Sequence, residues 1–266
     1  MKDPFESPKF LLQRANDHWL EFGRLETDYL FRGNFETQTV IDPVTNRQEL
    51  WLRSAEAIPN TLRGPASDAI KNLKDALDQA MAAASFVVSG LNGRYTHFPF
   101  GESKEDLEYS LTKRKVKYCS KIPESLFPVI RKIKPYPHAE DKWRLKVLQR
   151  VSGSHKHSMS LTLGTRSGTD LGALEMIGFG ENGSAVNVRT IFHEWNSSET
   201  NVLVATTTGL PSGGSFKCSQ PFRIVFNSDD LKGVPASSLI DGWGQGVSDV
   251  IRRFEGACTE ISSNQS

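Results

Sequence analysis

Residues Ser67–Leu91 read SDAIKNLKDALDQAMAAASFVVSGL. Ile70, Leu73, Leu77, Ala80, Met81, Ala84, Val87 and Leu91 recur three or four residues apart, so a 3.6-residue repeat gathers them on one side. Asp68, Asn72, Asp75 and Gln79 recur at the same spacing and gather on another side. The stretch therefore predicts a long two-sided helix. Small residues between Ala80 and Ala84 would let a neighbouring helix come close. Gly64-Pro65 reads as a break ahead of the helix, and Ser67 or a residue near it as the cap.

On the N-terminal side, Ser7-Pro8 reads as a helix start, followed by an apolar stripe from Leu11 to Leu30. Thr37–Ile41 and Gln48–Arg53 read as a hairpin around Asp42-Pro43-Val44-Thr45-Asn46, because Pro43 cannot sit inside a strand. On the C-terminal side, His97-Phe98-Pro99-Phe100-Gly101 reads as a loop anchored by its rings. Short helices follow: one capped by Ser103, one opened by Pro123 and one over residues 139–151. Beyond Met159 the stretches 160–163, 173–179, 185–195, 202–208 and 216–226 are rich in Val, Ile, Thr and Phe and separated by turn residues, which predicts an antiparallel meander. Leu239, Trp243, Val247, Val250, Ile251 and Phe254 predict a closing helix. The expected fold class is α+β: an N-terminal helical layer with a β-hairpin, then a C-terminal antiparallel sheet of about five strands and a closing helix. The expected organisation is one unit over 1–266, with subdomains 1–157 mainly helical and 158–266 mainly β.

The 266 residues are 38% hydrophobic and 24% charged, as in ordinary globular proteins. The net charge of +1 hides an asymmetry. From Lys104 to His157 there are fourteen Lys and Arg against six Asp and Glu, a local +8, which leaves −7 for the remainder. Such a basic segment suits nucleic acid or another polyanion, and it is also what a solvated helix face carries. Cys119, Cys218 and Cys258 are far apart and odd in number, which argues against a disulfide framework and for a reducing compartment. No apolar run reaches bilayer length, and the start MKDPFESPKF has no apolar leader core. A cytoplasmic location without membrane partners is expected.

Candidate chemistry is sparse. Gly178-Phe179-Gly180-Glu181-Asn182-Gly183 matches GxGxxG, but a strand rather than a helix is expected after it, so it reads as a hairpin turn and no cofactor is expected. His155 and His157 would share one side of an extended backbone, as metal ligands do, yet no third ligand stands at a telling spacing, and no metal is expected. Arg150 and His155 are separated by four residues. That spacing resembles the motif of the HEPN ribonuclease superfamily, in which histidine would handle the 2′-hydroxyl proton and arginine would stabilise phosphorane charge. Gly153 lies between them and weakens a helix across the pair. The catalytic candidates are thus Arg150, His155 and His157.

A second resemblance covers more of the chain. Asp68-x-x-x-Asn72-Leu73-Lys74-x-Ala76-Leu77-Asp78 is similar to a GDxxxNLRxALDH segment. Lys134-Pro135-Tyr136, Leu145-x-x-Leu148 and Lys156-His157 are similar to a segment ending in NxxKH, and His97-Phe98-Pro99-Phe100 stands where that pattern carries an FP motif. The pattern belongs to a broad group of bacterial proteins without an assigned activity. It implies fold and bacterial origin and no reaction. It marks Asn72, Asp78, Lys156 and His157 as binding candidates. This chain departs from it at Ser67, Lys74 and Gln79, and Lys74 in place of arginine forfeits bidentate bonding to a carboxylate or phosphate. The expectation is a non-catalytic cytoplasmic binding protein whose basic segment 104–157 engages nucleic acid or another polyanion, with a metal-independent HEPN-like ribonuclease as the alternative.

Overall fold

The structure is a computed structural model. It describes residues 3–31, 35–45, 47–54, 58–90, 96–113, 121–138, 144–154, 163–167, 174–177, 187–190, 194–195, 201–208, 215–218, 222–226, 231 and 234–264. Six helices hold most of these: α1 (Glu6–Phe31), α2 (Arg63–Ser89), α3 (Lys104–Lys113), α4 (Phe127–Ile133), α5 (Leu145–Ser154) and α6 (Ala236–Ser263). The strands are β1 (Phe35–Ile41), β2 (Gln48–Ser54), β3 (Leu163–Ser167), β4 (Leu174–Ile177), β5 (Asn187–Thr190), β6 (Glu194–Trp195), β7 (Asn201–Thr208), β8 (Ser215–Cys218) and β9 (Phe222–Phe226). Two compact units result, both discontinuous in sequence: 1–22 with 64–161 and 238–266, and 23–63 with 162–237.

In the helical unit, α2 buries Ala66, Ala69, Ile70, Leu73, Ala76, Leu77, Ala80, Met81, Ala84 and Ser85. Burying each of Ile70, Leu73, Leu77 and Met81 is worth about 1.5–3 kcal/mol, while the alanines between them allow close packing. The helix begins four residues ahead of Ser67. Gly64 and Pro65 lie inside its first turn, where proline is tolerated because the missing N–H would have no intrahelical partner. It stops at Gly90, whose φ of +67° is open to glycine and whose N–H donates to Phe86 O at 2.8 Å. Helix α1 likewise starts ahead of Ser7. Asp3 Oδ1 accepts the Phe5 N–H at 2.9 Å, and the Ser7 hydroxyl bonds Gln79 on α2 instead of capping.

Helix α6 completes this core. Trp243, Val247, Val250 and Phe254 are fully buried, and the Trp243 indole N–H donates to Arg144 O at 3.3 Å. Cys258 is a buried free thiol whose Sγ lies 3.8 Å from Ala84 O on α2. Burial pushes its pKa up to about 11, with Glu255 adding to the rise. A thiol raised in this way favours folding fully below the unfolded value near 9, and that contribution disappears as pH climbs from 9 to 11. Peptide mapping should therefore find Cys258 unmodified by a thiol reagent at pH 8 in folded protein. Stability should fall by up to about 3 kcal/mol over the alkaline window, and a Cys258→Ala variant should lack that fall.

In the other unit, β1 and β2 pair antiparallel, with Asp42 Oδ1 accepting the Val44 N–H at 2.9 Å at the turn. β2 then pairs with β7, and β7 with β5, giving the order β1-β2-β7-β5. β9 pairs with β3, β3 with β6, and β4 with β8. The carboxylate of Glu26, a buried residue of α1, accepts the Ile224 N–H from β9 at 3.1 Å. That bond satisfies a backbone donor at the sheet margin.

The expected α+β arrangement is overturned. The described residues are mainly helical, and no five-stranded C-terminal sheet stands among them. The strands beyond residue 160 do not run as a meander, because β3 takes β9 and β4 takes β8. The longest of them, β7, pairs with the N-terminal hairpin. The closing helix packs within the helical unit, against α2. The physical reason is that strand-forming composition fixes neither a strand's partner nor its sheet.

Candidate functional site

Arg150 sits on the last turns of α5, half exposed, with its guanidinium on Glu102 Oε2. The other oxygen of Glu102 takes the buried Lys146 Nζ at 3.0 Å. Lys146 and Arg150 are one helical turn apart, so a single carboxylate clamps both. Lys146, then Arg150, hold the Glu102 carboxyl below its ordinary range. The positive charge wanted for a phosphorane is thus already facing an anion. His155, Lys156 and His157 lie outside the described residues, as does the GxGxxG stretch 178–183. Helix α5 does continue through Gly153 to Ser154.

Asn72 is half-buried on α2, and its side-chain amide donates to Asp68 O, one turn back in the same helix, at 2.9 Å. It ties no two elements together through that bond. Asp78 does. Its Oδ1 accepts the Phe98 N–H at 3.0 Å, and its Oδ2 accepts from Lys74 Nζ and, at 2.9 Å, from His97 Nδ1. The carboxylate is only 16% exposed, whereas the His97 side chain is 48% exposed. Lys74 Nζ also stands 5.8 Å from the centre of the Phe100 ring. Phe98 packs edge-on against Phe100 at 4.9 Å and Phe254 at 6.2 Å. Asp78 therefore pins the loop 96–101 to α2, and Asn72 shares none of its partners.

The loop leads into α3 through a tight passage. Gly101 is buried, and its N–H donates to Pro135 O at 3.1 Å. A Cβ there would stand 2.5 Å from Ser103 O and 2.8 Å from Leu107 N, both backbone atoms. Ser103 caps α3 by accepting the Asp106 N–H at 3.2 Å, while Asp106 takes the Glu102 N–H at 2.8 Å. This places Glu102 opposite α5.

A separate cleft opens where α1, α2 and α6 meet. It has a volume of about 680 Å³, with Trp19 on one side, Leu73 on α2, and Ile240, Gly244 and Ser248 along α6. The sequence reading missed both this cleft and Glu102. Glu102 stands just ahead of the basic segment, and the cleft draws its lining from residues more than two hundred positions apart, which no local motif signals. Among the described residues there is no group of three His, Cys, Asp or Glu side chains placed to hold a metal ion. No described helix is long and apolar enough to cross a membrane. No family model, curated protein or solved structure matches the chain.

Proposed function

We propose that the chain is a cytoplasmic binding protein without catalytic activity, and that its basic segment, residues 104–157, engages nucleic acid or another polyanion. The observation that carries the reading is the exposure of cations in that segment. Lys104, Lys121, Lys132 and Lys134 are exposed on α3, α4 and their flanks, whereas Lys146 is buried against Glu102. Exposed lysines are the groups that release counterions from a phosphate backbone, and their contacts weaken with salt. The resemblance to the bacterial group with the NLRxALDH-like segment is in keeping with this reading and adds no reaction.

Fluorescence anisotropy with labelled single-stranded RNA and duplex DNA, from low to physiological salt, tests it. Log affinity should fall linearly with log salt concentration, and Lys132→Glu with Lys134→Glu should weaken binding at least about tenfold at low salt. Absence of binding at low salt, or equal affinity in the double variant, would end the reading. Cleavage of generic RNA in chelator that disappears in His157→Ala would replace it with the ribonuclease.

A further inference from the structure

The cleft between α1 and α6 has the size of a small-molecule site, inside the range of about 300–1,000 Å³ that such sites take. Its two cations are both held in ion pairs. Lys9 is paired with Asp3 and Glu255, and Arg252 with Asp249. Asp241 accepts the Gln245 side-chain amide at 2.9 Å. Both cations on the wall, Lys9 and Arg252, are thus already paired, so an anionic ligand would have to break a pair already made.

What the wall still offers is neutral. Asn16, with a donor and an acceptor, and the Ser248 hydroxyl both line the cleft. The aliphatic lining comes from Leu12 and from the almost fully buried Ala15, Leu73 and Ile240. Trp19 supplies an indole, held in place by stacking on Phe22 with centroids 5.8 Å apart and planes 20° apart. Gly244 gives the cleft depth, since nothing stands within 4 Å of a Cβ added there.

From this combination we infer that the cleft binds a neutral sugar. A pyranose has hydroxyls that each donate and accept, which suits a wall of amides, hydroxyls and paired charges. Its axial C–H bonds form an apolar face that packs on an electron-rich indole. The site is independent of the basic segment and of the polyanion reading.

Titration calorimetry of the full chain with glucose, maltose, cellobiose, lactose and diacetylchitobiose tests the inference, with glucose 6-phosphate and adenosine as the charged and heterocyclic comparisons. At least one neutral sugar should bind with a millimolar or lower Kd, and glucose 6-phosphate should bind more weakly than glucose. Trp19→Ala and Asn16→Ala should each weaken the sugar at least tenfold. Gly244→Leu should abolish binding while keeping or raising Tm, because it fills open space and improves helix propensity. The inference is overturned if no sugar of the panel binds, if adenosine or glucose 6-phosphate binds tighter, or if Gly244→Leu or Asn16→Ala binds the sugar as well as the parent does.

Discussion

A Gly101→Ala variant should lose about 3 kcal/mol of stability, read as a lowered denaturation midpoint with an unchanged slope. The new methyl group would meet Ser103 O at 2.5 Å and Leu107 N at 2.8 Å. Both are backbone atoms, one of the cap residue and one of the first turn of α3, where Leu107 N–H donates to Ser103 O at 3.1 Å. No rotamer change relieves that contact. Either α3 shifts away or Gly101 does, and a shift of Gly101 breaks its own bond to Pro135 O. Fully buried Leu107 and Leu111 would be dragged with the helix, which is why one methyl group carries so large an effect. Serine at the same position should do no better, since the obstruction lies at Cβ.

Asp78→Ala should cost about 2–3 kcal/mol, most of it from the Phe98 N–H. Phe98 is 3% exposed, so its amide has little water to turn to once the carboxylate is gone. Lys74 and His97 lose an anion, but His97 is half in solvent and contributes little. Asp78→Asn should cost less, because its amide oxygen still accepts from Phe98. Hydrogen exchange separates a local from a global effect: the Phe98 and Gly101 amides should exchange faster in Asp78→Ala by a larger factor than the amides of α6. Equal acceleration everywhere would show that the carboxylate supports the whole unit rather than the loop.

The sequence made the main helix legible because three- and four-residue spacing survives any arrangement of its neighbours. Ile70, Leu73, Leu77, Ala80, Met81 and Ala84 are all fully buried. Its ends were less legible. Pro65 stands for a break as readily as for a first turn, and Gly90 acts as a stop only once its φ is known. The aromatic anchoring of the 97–101 loop was visible in its composition, but the acid that holds it was visible only as part of the NLKxALD pattern. Strand pairing was the least legible level. β2 reaches across about 150 residues to β7, and alternation within a strand names no partner. Among the site candidates, Asn72 and Asp78 carried equal weight in the pattern, yet one bonds within its own helix and the other across to a loop. Only tertiary geometry makes that distinction.

The discontinuity of the helical unit has a consequence for synthesis on the ribosome. Helix α2 is complete once Ser89 has emerged, but Phe254 and Cys258, which reach Phe98 and Ala84, come more than 160 positions later. At roughly 5–20 residues per second, the apolar flank of α2 waits on the order of ten seconds for its last cover. During that delay the nascent chain is exposed to self-association, and a holdase chaperone would have its best opportunity there. Truncation ahead of α6 would make that vulnerable interval permanent.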